Sequence, residues 1–245
     1  MARRYPGIGK EAVVMARIEI NHLTKQFGSL TALDSVALQL EKGQIVGLLG
    51  PNGSGKTTLL KIMNGLLTPT AGSVKINGMD PGVETKKVVA YLPDRNALPD
   101  YMNTKQLMDL YEDFFVDFNR SKAVKMVKDL GLDINQPMKK MSKGTKEKLQ
   151  LCLVMARDAQ VYLLDEPIGG VDPATRDYIL RTIISNYNED AVVIISTHLI
   201  SDIESVLDDV VFLKEGRVVL HKQAEEIREE TGESVDKLFR EVFRC

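Results

Sequence analysis

The 245 residues carry 32 Lys and Arg against 34 Asp and Glu, a formal charge of −2, with 44% hydrophobic and 27% charged residues. This balance is ordinary for a globular protein and excludes the strongly basic surface that nucleic-acid binding favours, so no nucleic-acid partner is expected. No apolar run approaches the roughly 20 residues that cross a bilayer, and two cysteines, Cys152 and Cys245, are too few for a disulfide framework or a zinc site, which fits a reducing cytosol.

Residues 1–15 are basic and aperiodic and are expected to be a flexible segment; they lack the apolar stretch of a signal peptide, so a cytoplasmic location is expected. From residue 16 the pattern is strand-like. Arg17 to Asn21 alternates, as do Val36, Leu38 and Leu40, which predicts an antiparallel sheet with one wet face. Gln44 to Leu49 reads as a buried strand, Gly55 to Leu67 as a helix, and Ser73 to Asn77 as another alternating strand. From Thr104 to about Ala159 the period is helical. Strand and helix then alternate again through Val161–Asp165, a helix after Pro173, Ala191–Ser196, a short helix and Val210–Leu213. The expected layout is an α/β domain over 16–220 with a helical insert at about 95–159, followed by a helical tail over 221–245. In that tail Val235, Leu238, Phe239, Val242 and Phe243 share one apolar face.

Between the buried strand and its helix stands a G-x-x-x-x-G-K-[ST] phosphate loop. The expected nucleotide-binding set is Gly50, Pro51, Asn52, Gly53, Ser54, Gly55, Lys56, Thr57 and Thr58. Glycines let successive backbone N–H groups face one anion, and the helix N-terminus adds its positive end. Lys56 is expected to reach the β- and γ-phosphates and the Thr57 hydroxyl to coordinate Mg²⁺. The apolar strand Val161–Leu164 ends in Asp165 and Glu166. At the carboxyl end of such a strand both acids can face a bound phosphate. Asp165 suits the Mg²⁺ shell, and Glu166 suits a base or water-positioning role.

In this order the motifs resemble the nucleotide-binding subunits of ATP-binding-cassette (ABC) transporters, from about Ile18 to Arg217. Met141 to Lys146, containing Ser142 and Gly144, is similar to the family's Leu-Ser-Gly-Gly-Gln signature. Gly170-Val171-Asp172 is similar to its D-loop, and His198 to its switch histidine. The resemblance implies a P-loop NTPase (RecA-like) α/β core with an antiparallel β subdomain and an inserted helical subdomain. It implies an ATPase using ATP and Mg²⁺, paired head to tail as a homodimer or paralogous heterodimer. Ser142 and Gly144 of one subunit would face the Lys56 loop of the other, and Asp172 would line the seam. His198 would contact the γ-phosphate and Phe27 would stack on adenine. A membrane permease on a separate chain would hold the subunit at the inner face of the cell membrane. Four of these residues also have plain structural readings: Ser142 and Asp172 as helix caps, His198 as a structural histidine, and Phe27 as core.

Two departures stand out. Asp94, after Tyr91-Leu92-Pro93, occupies the place of the family's Q-loop glutamine; as a carboxylate it keeps a metal role better than an amide's donor role. Lys143 replaces the first glycine of the signature. Together these resemble the drug- and antibiotic-export, YtrB-like subset. The cargo, the direction and the dimer's composition stay open. A soluble ABC ATPase of a non-transport assembly or regulatory complex is the alternative reading.

Overall fold

The structure is a computed structural model that describes residues 17–243, with side chains from Ile18 onward. The 1–15 segment and Cys245 lie outside the described residues. In chain order the first half contains β1 (Arg17–Phe27), β2 (Leu30–Glu41), β3 (Gln44–Leu49), α1 (Lys56–Met63), β4 (Ala71–Ile76) and β5 (Val89–Leu92). The helices α2 (Thr104–Phe114), α3 (Arg120–Asp129) and α4 (Lys143–Met155) follow. The second half holds β6 (Val161–Asp165), α5 (Pro173–Asn186), β7 (Val192–Thr197), α6 (Ile200–Ile203), β8 (Asp209–Lys214), β9 (Arg217–Gln223), α7 (Ala224–Thr231) and α8 (Val235–Val242).

The strands form two sheets. A three-stranded antiparallel sheet has the order β2-β1-β4, and a six-stranded sheet has the order β5-β6-β7-β3-β8-β9. Within the larger sheet the pairs from β5 to β8 are parallel and only β8–β9 is antiparallel. The two sheets differ in burial for the reason their sequences differ. In β2 the buried residues Val36, Leu38 and Leu40 alternate with exposed ones, so one face meets water. In β6 and β7 every residue is buried, because both faces of a parallel sheet are covered. Alternate residues then serve two cores. Ile45, Tyr162, Leu164, Val193 and Ile195 pack toward α2–α5, whereas Val46, Leu48, Leu163 and Ile194 pack toward α1 and the antiparallel sheet.

The helices of the insert begin on side-chain caps. Asn103 forms a reciprocal capping box with Gln106, and Asn119 caps α3 through Lys122 N–H. Residues Leu149 to Met155 of α4 are all buried, so this helix shows little amphipathicity from end to end. No helix of the described residues is long and apolar enough to cross a membrane.

Three elements differ from the reading of the sequence. α1 stops at Met63 rather than Leu67, because Gly65 and Leu66 turn back to donate to the carbonyls of Ile62 and Lys61. The strand β5 lies where only a loop motif was read, and β9 forms where no strand was assigned. β9 runs to Gln223, past the expected limit of the α/β domain at 220.

Candidate nucleotide site

Strand order puts the chemistry together. β6, β7 and β3 are neighbours and parallel, so Asp165, Thr197 and the loop that leaves β3 all emerge at one edge of the sheet. The loop has the geometry its glycines require. Gly55, the residue before α1, has φ +108, and a Cβ there would lie 2.5 Å from Ala32 O. A Cβ on Gly50 would lie 2.4 Å from Leu213 O and 2.6 Å from Ser54 Oγ, so no side chain fits. Lys56, 5% exposed, points its ammonium back across the loop and donates to Gly50 O (2.7 Å) and Pro51 O (3.2 Å).

The two acids divide their roles by position. Asp165 is fully buried; its Oδ1 accepts from Ser196 Oγ (2.6 Å) and Thr57 Oγ1 (3.1 Å). Its Oδ2 is buried and without a hydrogen-bond partner among the described residues. Burial raises the Asp165 carboxyl above the ordinary carboxylate range; Ser196 and Thr57 oppose this, while the charges of Asp94 and Glu166 add to it. A buried carboxylate with a free oxygen beside a hydroxyl suits a hard divalent cation that takes its remaining ligands from phosphate and water. Among the described residues no group of three or more His, Cys, Asp and Glu forms a metal centre without such outside ligands.

Glu166 carries its side chain to the rim of the loop. Its Oε1 lies 3.4 Å from Lys56 Nζ and its Oε2 lies 3.1 Å from His198 Nδ1. The backbone turns sharply at this residue, with φ +48, and its N–H is shared between Ser196 O (3.1 Å) and Ser196 Oγ (3.0 Å). A non-glycine residue held in the left-handed region at a strand end is the kind of local strain that accompanies functional sites.

A cleft of about 380 Å³ opens over the loop. It is lined by Phe27, Leu30, Thr31 and Ala32, the residues Asn52 to Thr58, Asp94 and Glu166. Phe27 is thus brought to the site. It is 45% exposed with Lys25 Nζ 4.9 Å from its ring centroid, rather than buried in the core. Asp94 faces the same cleft with Arg95 Nε at 3.8 Å.

Ser142, Gly144 and Asp172 are not among the residues that line this cleft. Ser142 caps α4, its Oγ accepting from Thr145 N–H at 3.2 Å. Asp172 caps α5: Oδ1 accepts from Thr175 N–H (3.1 Å) and Oδ2 from Thr175 Oγ1 (2.7 Å), bonds that hold its carboxyl below the ordinary range. The residue that sequence reasoning passed over is Ser196. Its only local signal is a hydroxyl ending the apolar run Val192 to Ile195.

A phosphate loop joining a central parallel strand to a helix, with an acid pair ending the second strand along, defines a P-loop NTPase. The chain belongs to the ABC transporter family, whose model matches residues 33–169, more than half of its length. It is 30% identical over 216 residues to the ABC transporter ATP-binding protein YtrB of Bacillus subtilis, covering 87% of this chain and 74% of that one. It is 28% identical to the lantibiotic transport ATP-binding protein SrtF of Streptococcus pyogenes, covering 91% and 95%. It is also 28% identical to the daunorubicin resistance ATP-binding protein DrrA3 of Streptomyces coeruleorubidus, covering 92% and 74%. Among solved structures, an ATP-binding subunit of an ABC transporter superimposes with a TM-score of 0.82 at 25% identity, covering 93% and 99%. A dimeric ATP-binding cassette with ADP and phosphate bound superimposes with a TM-score of 0.74 at 21% identity, covering 84% and 98%, and shares the fold. The protein is an ATP-binding subunit of this family and an ATPase.

Proposed function

We propose that this subunit powers transport, in the export direction, through a membrane permease on a separate chain, which holds it at the inner face of the cell membrane. Two ATPase subunits, identical or paralogous, close head to tail over two ATP molecules and reopen after hydrolysis. The relatives named for lantibiotic transport and daunorubicin resistance support the export direction. The permease docks on the helical insert and the segment near Asp94.

The observation that carries the catalytic part is the Glu166 carboxylate, held between Lys56 Nζ and His198 Nδ1 at the rim of the phosphate loop. Lys56 and the backbone N–H groups of Gly53 to Thr58 bind the phosphates. Phe27 stacks on the adenine. Thr57 and Asp165, assisted by Asp94, would hold Mg²⁺, which would supply charge neutralisation to the bound phosphates. Glu166 accepts a proton from the attacking water, and His198 holds that carboxylate and touches the γ-phosphate. Ser142 and Gly144 of the second subunit add an N-capped helix end to the same phosphate, with Asp172 at the seam.

Replacing Glu166 with Gln tests the reading. The variant is expected to bind ATP while losing turnover by about 10²–10⁴-fold, the range a general base contributes. It is also expected to elute as a dimer when ATP is present. Turnover at the wild-type rate would remove Glu166 from its role.

A further inference from the structure

The last two residues of β7 both carry hydroxyls, and only one has a local task. Thr197 Oγ1 accepts from Leu199 N–H at 3.0 Å, closing the turn that leads to α6. Ser196 makes no such turn. It is fully buried at the carboxyl end of an otherwise apolar strand, in register with Asp165 on one side and Leu48 on the other. Its one proton goes to Asp165 Oδ1 at 2.6 Å, and its oxygen accepts from Glu166 N–H at 3.0 Å. A single hydroxyl therefore touches both acids that end β6.

We infer that Ser196 is a positioning residue for hydrolysis, its hydroxyl fixing the Asp165 carboxylate and the Glu166 backbone in one arrangement. This rests on the roles proposed above for those two acids. Ser196 and Thr57 together occupy Oδ1 of Asp165, so the carboxylate cannot rotate without losing two donors, and Oδ2 is the oxygen left free. The same hydroxyl shares the Glu166 N–H with the Ser196 carbonyl, at the point where the backbone takes φ +48 and directs the side chain to Lys56 and His198. A hydrogen bond behind a metal-binding carboxylate fixes its orientation, and removing one costs about 10–100-fold in metal affinity or activity.

Three variants test this: Ser196→Ala, Ser196→Thr and Glu166→Gln, the first also made in the Glu166→Gln background. Ser196→Ala is expected to lower kcat by about 10–100-fold with KM for ATP changed by less than about threefold. In the Glu166→Gln background, where turnover plays no part, it is expected to weaken Mn²⁺ binding to the ATP-loaded protein, read by electron paramagnetic resonance, by a similar factor. Ser196→Thr keeps the hydroxyl and is expected to restore both. Unchanged kcat and unchanged Mn²⁺ affinity in Ser196→Ala, alongside an inactive Glu166→Gln, overturn the assignment of Ser196 and leave the proposed function standing. Lowered thermal midpoints in both Ser196 variants, with no rescue by Thr, assign the residue to packing and overturn it equally. An active Glu166→Gln instead brings down the underlying reading of the acids.

Discussion

At the residue scale, the site is a set of charges whose positions oppose their usual preference for water. Lys56 is buried to 5% exposure with its ammonium among two loop carbonyls and the Glu166 carboxylate. That cation is spared the full cost of desolvation by its hydrogen bonds and is aimed across the loop proposed to receive phosphate. Lys56→Ala is expected to lower ATP affinity by roughly 10- to 100-fold, the factor carried by hydrogen bonds to a charged group. Titration with a fluorescent ATP analogue reads it, and an unchanged affinity contradicts the phosphate-loop assignment. These residues were legible because their signal is local: a run of loop glycines ahead of Lys56 and Thr57, and two acids ending one apolar strand. Ser142 and Asp172 were legible as helix caps for the same reason, and both make the cap bonds their side chains allow.

At the scale of elements, the helical insert is tied to the α/β core by one buried cation. Arg157, just after α4, is 3% exposed and forms a paired hydrogen bond to Asp117 at 2.8 and 2.9 Å. Its guanidinium also donates to the carbonyls of Val89, Lys86 and Lys87, and stacks 4.0 Å from the ring centroid of Phe115. One side chain thus joins the α2–α3 connection, the end of α4 and the start of β5. Asp117→Ala leaves this buried charge without its carboxylate and is expected to cost about 3–5 kcal/mol. A calorimetric thermal midpoint lowered by several degrees is the corresponding readout; a midpoint within a degree of wild type contradicts the clamp. Nothing in the local pattern announced it, since Arg157 and Asp117 are 40 residues apart. The strand β5 was missed on related grounds. Four residues are too few to establish a period, and β5 exists because its backbone pairs with β6 from Val89 to Leu92. α1 was read four residues too long because its apolar spacing continues through Leu66 and Leu67, while the turn at Gly65 ends the helix.

At the scale of the whole molecule, the chain offers a nucleotide cleft and no membrane-crossing helix among its described residues. The proposed transport function places the membrane-spanning part on a second polypeptide. Purified from its own solubilised membranes, the tagged subunit is expected to bring down a multispanning protein in a fixed ratio. Recovery of soluble partners alone supports the non-transport assembly. Whatever is encoded within a strand or a turn can be read from the residues alone. The alternating residues of β2 specify one wet face, the continuous apolar runs of β6 and β7 specify burial on both, and the loop from Gly50 to Thr58 specifies an anion site. Contacts between distant segments form only once the chain has folded. Thr57 meets Asp165 across 108 residues, Ser196 meets it across 31, and the Glu166 carboxylate stands between Lys56 and His198. Those meetings depend on the order β6-β7-β3 and its parallel register. Order and register are settled by burying two apolar faces at once, a free energy summed over the whole chain that no single segment contains.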